Sequence, residues 1–297
     1  MSITDTVLTL AATHGLELQA EGATLSEAGL DYRVVMAQTP TGERWVLRVP
    51  RRTDVSEGMA AESRILGLVG PVLAAHQVAV PDWRVCAADL IAYPALPGTP
   101  GLTLTPDKQP VWHMDPADRG YAEHLGRLLA RLHSITAEQA ASAGVEVRTP
   151  TQVRDSWAAD IGRVREEFTV APSLSDTWDA WLDDDSCWPE RTVMTHGEIY
   201  PAHVLLDDHG TITGVLDWTT ARVDDPARDL AAQYGAAGEE MVQASIAAYA
   251  QAGGQAYPGM VAQARHLWDA SPIGYALYAL TTRAEPDLAG AAARLKP

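Results

Sequence analysis

Polar and apolar residues alternate along Glu43-Arg44-Trp45-Val46-Leu47-Arg48-Val49. On a strand, Trp45, Leu47 and Val49 then share one face, and Val46 and Arg48 the other. A partner strand is predicted over Tyr32–Gln38, joined through the turn-forming run Thr39-Pro40-Thr41-Gly42. Asp54 or Ser56 is placed to cap a following helix. On that helix Met59, Glu62, Leu66 and Val69 fall on one face, so a carboxylate interrupts an apolar stripe. Residues 90–93 read as another strand. Pro94-Ala95-Leu96-Pro97-Gly98-Thr99-Pro100-Gly101 then breaks the pattern and is the candidate hinge. Beyond it the spacing turns mostly helical. Leu125, Leu128, Leu129 and Leu132 repeat at helical intervals up to His133-Ser134, weaker helical patterns cover 156–168 and 177–182, and alanine-rich ones cover 229–234, 239–252 and 257–282. Residues 192–195 form a short strand, and 203–206 and 211–217 form a hairpin around Asp207-Asp208-His209-Gly210. The expected architecture is α+β, with a β-rich small lobe over 1–97 and a larger helical lobe over 98–297.

Composition narrows the partners. The 297 residues suffice for two lobes with a sizeable core, and 46% hydrophobic with 21% charged is a globular balance. A formal charge of -17 repels nucleic acid and anionic membranes and attracts cationic small molecules. An anionic nucleotide needs a local basic group or a metal ion to bind against such a field. Cys86 and Cys187 form no CxxC pair, which argues against structural zinc and a disulfide framework. No basic stretch precedes an apolar run near the start, and no segment is long and apolar enough to span a bilayer, so a cytoplasmic protein is expected.

The candidate chemistry lies in Thr195-His196-Gly197-Glu198-Ile199-Tyr200-Pro201-Ala202-His203 and in Leu216-Asp217-Trp218. Two acids and two histidines beside short apolar strands suit phosphoryl transfer. Gly197 permits a sharp turn that sends Glu198 into a cleft, where a carboxylate orients and deprotonates a hydroxyl; the plain alternative is a capping or surface glutamate. The predicted hairpin returns the chain so that His203 and Asp217 come close. A carboxylate that bridges magnesium to phosphates is usual, an imidazole less so, and His203 reads equally as a structural histidine. His196 is expected to bond backbone carbonyls, Asp225 to fix a turn before Pro226, and Asp229 to cap or anchor the next helix. Arg48 and Glu62 suggest an ion pair facing phosphate. A zinc site fits less well, because neither His-Glu-x-x-His nor a Pro-Cys-x-x-Cys accompanies these residues.

At these residues the chain resembles the aminoglycoside phosphotransferase group of the protein-kinase-like fold, and more narrowly the macrolide 2'-phosphotransferases. The resemblance runs through residues 45–52, 129–133, 196–206, 216–230 and 272–282. It implies a bilobal kinase-like fold and transfer of a nucleotide gamma-phosphate to a macrolide amino-sugar hydroxyl. Glu198 would be the base, His203 and Asp217 the holders of Mg2+, and Arg48, set by Glu62, the phosphate contact. The backbone of Ile91, Tyr93 and Ala95 would meet the purine, with GTP preferred over ATP. Histidine at 203 and arginine at 48 resemble the macrolide branch, where the wider group usually has asparagine and lysine. Tyr200, Trp218, Tyr275 and Tyr278 are aromatic candidates for an apolar acceptor site. Kinases of aminoglycosides, choline or homoserine are the alternative. So is a kinase-like binding protein, because the group usually has aspartate where Glu198 stands. The loop Ser26-Glu27-Ala28-Gly29-Leu30-Asp31-Tyr32 has one glycine where protein kinases carry three.

Overall fold

A computed structural model describes residues 2–27, 29, 31–105, 107 and 109–296; Ala28 and Leu30 of the expected nucleotide loop lie outside the described residues. Along the chain run α1 (Ile3–Thr13), β1 (Gln19–Ser26), β2 (Tyr32–Gln38), β3 (Arg44–Pro50), α2 (Thr53–Ala74), β4 (Val85–Ala87), β5 (Leu90–Pro94), β6 (Thr99–Pro100), β7 (Leu102–Leu104) and β8 (Pro110–Trp112). Next come α3 (Arg119–Leu132), α4 (Ala137–Ser142), α5 (Pro150–Glu167), α6 (Pro172–Asp183), β9 (Val193–Thr195), β10 (Val204–Leu206), β11 (Ile212–Val215) and β12 (Arg222–Asp224). The chain ends in α7 (Arg228–Gln251), α8 (Met260–Asp269), α9 (Ser271–Thr282) and α10 (Glu285–Leu295).

Contacts divide these elements into two units. The first holds Met1–Asp115, Ala143–Val145 and Tyr200–Ala221, and the second holds Pro116–Ser142, Glu146–Ile199 and Arg222–Pro297. The first is built on an antiparallel sheet of order β1-β2-β3-β5-β4. Its two faces follow the alternation of β3. Trp45 and Leu47 join Val35, Leu90 and Ala92 under Val7, Leu8 and Ala11 of α1. On the other face Tyr32, Ile91 and Tyr93 pack with Met59 of α2.

The unit boundary differs from the expected division at residue 97. The β10–β11 hairpin groups with the N-terminal residues because β10 pairs with β6, Leu205 opposite Pro100. Val215 N–H also donates to the Ala79 carbonyl at 2.9 Å, and Ala79 N–H to the Thr213 carbonyl at 2.8 Å. The candidate hinge therefore contains a paired strand. Gly98 is required there: it has φ 102°, and a Cβ would lie 2.6 Å from Thr213 Oγ1. The β7–β8 hairpin that follows was not expected from the sequence. Arg52, not Asp54 or Ser56, occupies the N-cap of α2, and it has no side-chain cap bond. Ser56 instead donates to the Ala88 carbonyl.

The second unit is centred on α3 against α7. The helices approach closely at Gly126, where a Cβ would meet Tyr249 N at 2.9 Å, and Ser245 Oγ donates to the Ala122 carbonyl at 2.8 Å. α7 breaks at Gly238 (φ 75°, ψ -171°), between the two helical patterns expected there. No described helix is long and apolar enough to cross a membrane.

Candidate active site

The first unit gathers a charged cluster on the α2-facing side of its sheet. Arg48 pairs with Val34 on one side and Ile91 on the other, in the middle of the sheet. Its Nη1 donates to Glu62 Oε1 at 3.1 Å, and both side chains are buried, 8% and 2% exposed. Arg48 is thus no ordinary surface arginine, and the glutamate in the apolar stripe of α2 has its partner. Burial pushes the Glu62 carboxyl up while Arg48 draws it back down, and Asp217 adds like-charge repulsion. Asp217 also bears electrostatically on Arg48, Tyr32 and Tyr93.

Asp217 stands just beyond β11 in the left-handed region, φ 60°. Thr219 Oγ1 donates to its Oδ1 at 2.7 Å. His203 stands just before β10, and the two ends of the hairpin bring His203 Nε2 within 3.8 Å of Asp217 Oδ2. That separation is too long for a hydrogen bond. It suits two ligands of one ion, since each would lie about 2.1 Å from magnesium. His203 packs edge-on to Tyr200, ring centroids 4.3 Å apart. Leu216 N–H donates to the His203 carbonyl at 2.8 Å, which fixes the two ends together.

Several of the expected contacts look different in the structure. Ile91 lies inside the sheet, paired with both Arg48 and Cys86, so its main chain cannot meet a base. Ala95 N–H is committed to the Arg44 carbonyl at 2.8 Å. Antiparallel pairs alternate, so Tyr93, opposite Val46, turns its polar main-chain groups to β3 as Ala95 does. Tyr93 keeps only its buried ring on the α2-facing side. Trp218 is fully buried and its Nε1 donates to the Val215 carbonyl at 3.2 Å. It is a core residue beneath the hairpin and cannot line an acceptor site. Tyr275 and Tyr278 stack at 6.4 Å. The Tyr275 hydroxyl donates to Asp287, and Arg294 covers its ring at 4.2 Å, so this residue is tied to α10.

In the second unit the loop after β9 is held from below. Asp229 accepts from His196 N–H at 3.0 Å and from Gly197 N–H at 2.6 Å. Gly197 has φ 86°, a turn that favours glycine. Glu198 N–H points to His196 Nδ1 at 3.3 Å, and the Glu198 side chain is exposed. His196 thus shapes the loop in part by accepting from a backbone N–H. Asp229 does more than anchor its own helix, and behind it lies a residue the sequence reading passed over. His133 Nε2 meets Asp229 Oδ2 at 3.1 Å, and His133 Nδ1 meets the Tyr249 hydroxyl at 3.2 Å. These donors hold the fully buried Asp229 carboxyl below the usual range, against the upward push of burial. The only advance signal was a histidine closing the leucine repeat of α3.

Asp225 lies four residues before Asp229 and behaves oppositely. Trp181 Nε1 donates to Gln263 Oε1 at 2.8 Å, which turns Gln263 Nε2 onto Asp225 Oδ2 at 2.6 Å. Burial raises the Asp225 pKa to about 6. A raised carboxyl contributes stability below its unfolded value of about 4, and that contribution is lost as pH rises through the folded value. Relative to Asp225→Asn, which stays neutral, the native chain should lose about 2–3 kcal/mol of unfolding free energy between pH 4 and pH 7.5. Denaturant unfolding of both proteins at the two pH values measures this. A pH-independent difference would contradict the assignment.

Residues 23–262 match the phosphotransferase enzyme family, and the chain belongs to it. It is 48% identical to the macrolide 2'-phosphotransferase MphH from Brachybacterium faecium, with 99% of this chain and 98% of that chain covered and a TM-score of 0.91. A type I macrolide 2'-phosphotransferase is 40% identical, with 100% and 98% covered and a TM-score of 0.90. The protein YcbJ of Bacillus subtilis (strain 168), described as uncharacterized, is 38% identical over 283 residues, 94% of this chain and 91% of its own length. The GDP and kanamycin complex of APH(2")-IIia, at 18% identity and a TM-score of 0.76, shares the fold. The architecture is thus the α+β, kinase-like one of these phosphotransferases, and the chain is a phosphotransferase acting on a hydroxyl.

Proposed function

We propose that this protein transfers the gamma-phosphate of a purine nucleotide to the 2'-hydroxyl of a macrolide amino sugar and so confers macrolide resistance. The carrying observation is 48% and 40% identity to two macrolide 2'-phosphotransferases over nearly their whole length. Arg48 holds the nucleotide phosphates, with its guanidinium fixed by Glu62. Glu198 accepts the proton of the attacking hydroxyl. The hydroxyl oxygen then bonds to the gamma-phosphorus as the bond to the beta-phosphate oxygen breaks, and a nucleoside diphosphate leaves. Asp217 and His203 would hold Mg2+. An imidazole and a carboxylate 3.8 Å apart fit an ion that keeps few protein ligands and several waters. Bound there, magnesium would neutralise charge on the phosphate oxygens during transfer. GTP is the proposed donor, on the family resemblance alone. The protein acts in the cytoplasm, on a nucleotide and an antibiotic, with no role for nucleic acid or membrane.

The test is a panel of alcohols and donors. Erythromycin should be phosphorylated and kanamycin should not, with GTP giving the higher kcat/KM. An erythromycin derivative lacking the 2'-hydroxyl should bind and not react. Transfer to kanamycin with none to erythromycin would assign another acceptor, and macrolide binding with no turnover would assign a binding protein.

A further inference from the structure

We propose that Tyr32 is a positioning residue for phosphoryl transfer, its ring held against the face of the Arg48 guanidinium so that arginine, and not lysine, is the side chain this site can use. The inference rests on the assignment of Arg48 to the nucleotide. The Arg48 guanidinium carbon lies 4.0 Å from the centre of the Tyr32 ring. Glu62 Oε1 takes Nη1 at 3.1 Å, so the guanidinium is held both at one nitrogen and over the ring. Two restraints of this kind limit how a fork-shaped cation can turn, whereas one leaves it free to swivel.

The ring is itself held in place. Tyr32 pairs with Pro50 at the end of β3. Its carbonyl accepts from Arg51 Nε at 3.3 Å, and Arg51 N–H donates to the neighbouring Asp31 carbonyl at 2.8 Å. The side chain is 5% exposed and packs with Met59, Ile91 and Tyr93. Burial raises its hydroxyl pKa, so it faces Arg48 as a neutral ring. A guanidinium stacks on such a ring and still has donors left for phosphate. An ammonium is a compact point charge with no face to stack, and it would lose the orientation that Tyr32 supplies.

The test couples the two residues. Nucleotide kcat/KM at saturating macrolide, and nucleotide binding by calorimetry, are measured for Tyr32→Leu, Tyr32→Phe, Arg48→Lys, Arg48→Ala and the double variant Tyr32→Leu/Arg48→Lys. Melting temperatures check folding, and Tyr32→Met replaces Tyr32→Leu if the latter does not fold. Tyr32→Phe should stay within about threefold of the native chain, because the ring and not the hydroxyl is used. Tyr32→Leu should lose at least about tenfold, the scale of a desolvated cation–π contact. In the Arg48→Lys background the same change should cost less than about threefold, since no stack remains to be lost. An equal loss in both backgrounds would show ordinary packing and overturn the proposal, as would an unimpaired Tyr32→Leu. If Arg48→Lys and Arg48→Ala both leave nucleotide parameters unchanged, it is the assignment of Arg48 to the nucleotide that fails.

Discussion

Asp217→Asn should lower phosphoryl transfer by about a thousandfold and leave the stability of the protein little changed. The loss follows from charge. The amide keeps the size of the carboxylate and can still accept from Thr219, yet it cannot neutralise a cation shared with phosphate. The small effect on stability follows from the same cluster. Asp217 repels the buried Glu62 carboxylate and attracts Arg48, so the two contributions offset when its charge is removed. Asparagine is also the right replacement for the backbone, because it tolerates the left-handed conformation at φ 60° better than alanine does. Asp217→Ala should therefore show the same collapse of activity with about 1 kcal/mol less stability. Single-turnover rates and thermal melts of the two variants check this. Near-normal turnover by folded Asp217→Asn would remove this residue from the metal site.

The parts of this site that were legible in the sequence are those written in local periodicity. Two-residue alternation in β3 separates Arg48 from Trp45 and Leu47. A helical stripe brings Glu62 to the sheet-facing side of α2. A turn-rich tetrad between two apolar runs brings His203 back beside Asp217. What was not legible depends on pairings distant in the chain. Thr99 and Pro100 form a strand only because Leu205 and Leu206 offer one, and a proline- and glycine-rich run gives no sign of that. The hold of Asp229 on the backbone of His196 and Gly197 spans more than thirty residues, and His133 reaches it from a third element. Trp218 misleads for a related reason. It adjoins Asp217, but the positive φ at Asp217 turns the chain so that the next side chain enters the core. An aromatic residue next to a site residue in sequence need not share its cleft. The expected contact of Ile91 with a base fails because its main chain lies inside a sheet, and the Ala95 N–H is already committed to Arg44, a constraint that side-chain patterns do not reveal.

Glu198→Ala should lose at least about a hundredfold in single-turnover rate, the usual scale for a positioned acid–base group. Glu198→Gln should lose nearly as much, because it keeps the reach and removes the proton acceptor. The side-chain length is the sharper question. The backbone beneath Glu198 is not free to adjust: the two preceding N–H groups are bound by Asp229, Gly197 fixes the turn, and Glu198 N–H faces His196 Nδ1. With the backbone clamped, the number of methylenes sets where the carboxylate stands. Aspartate would draw it back by about one bond length, and a displacement of about 1 Å at a reacting centre is worth up to a hundredfold in rate. The His-Gly before this position and the Ile-Tyr-Pro after it resemble loops that carry aspartate, and Asp229 holds the loop without reference to the Glu198 side chain. Glu198→Asp should therefore raise the rate by about tenfold. Single-turnover measurements at saturating macrolide and nucleotide give the answer. A slower Glu198→Asp enzyme would mean that the acceptor and nucleotide are held for the longer side chain, and that glutamate here is a fitted catalytic residue.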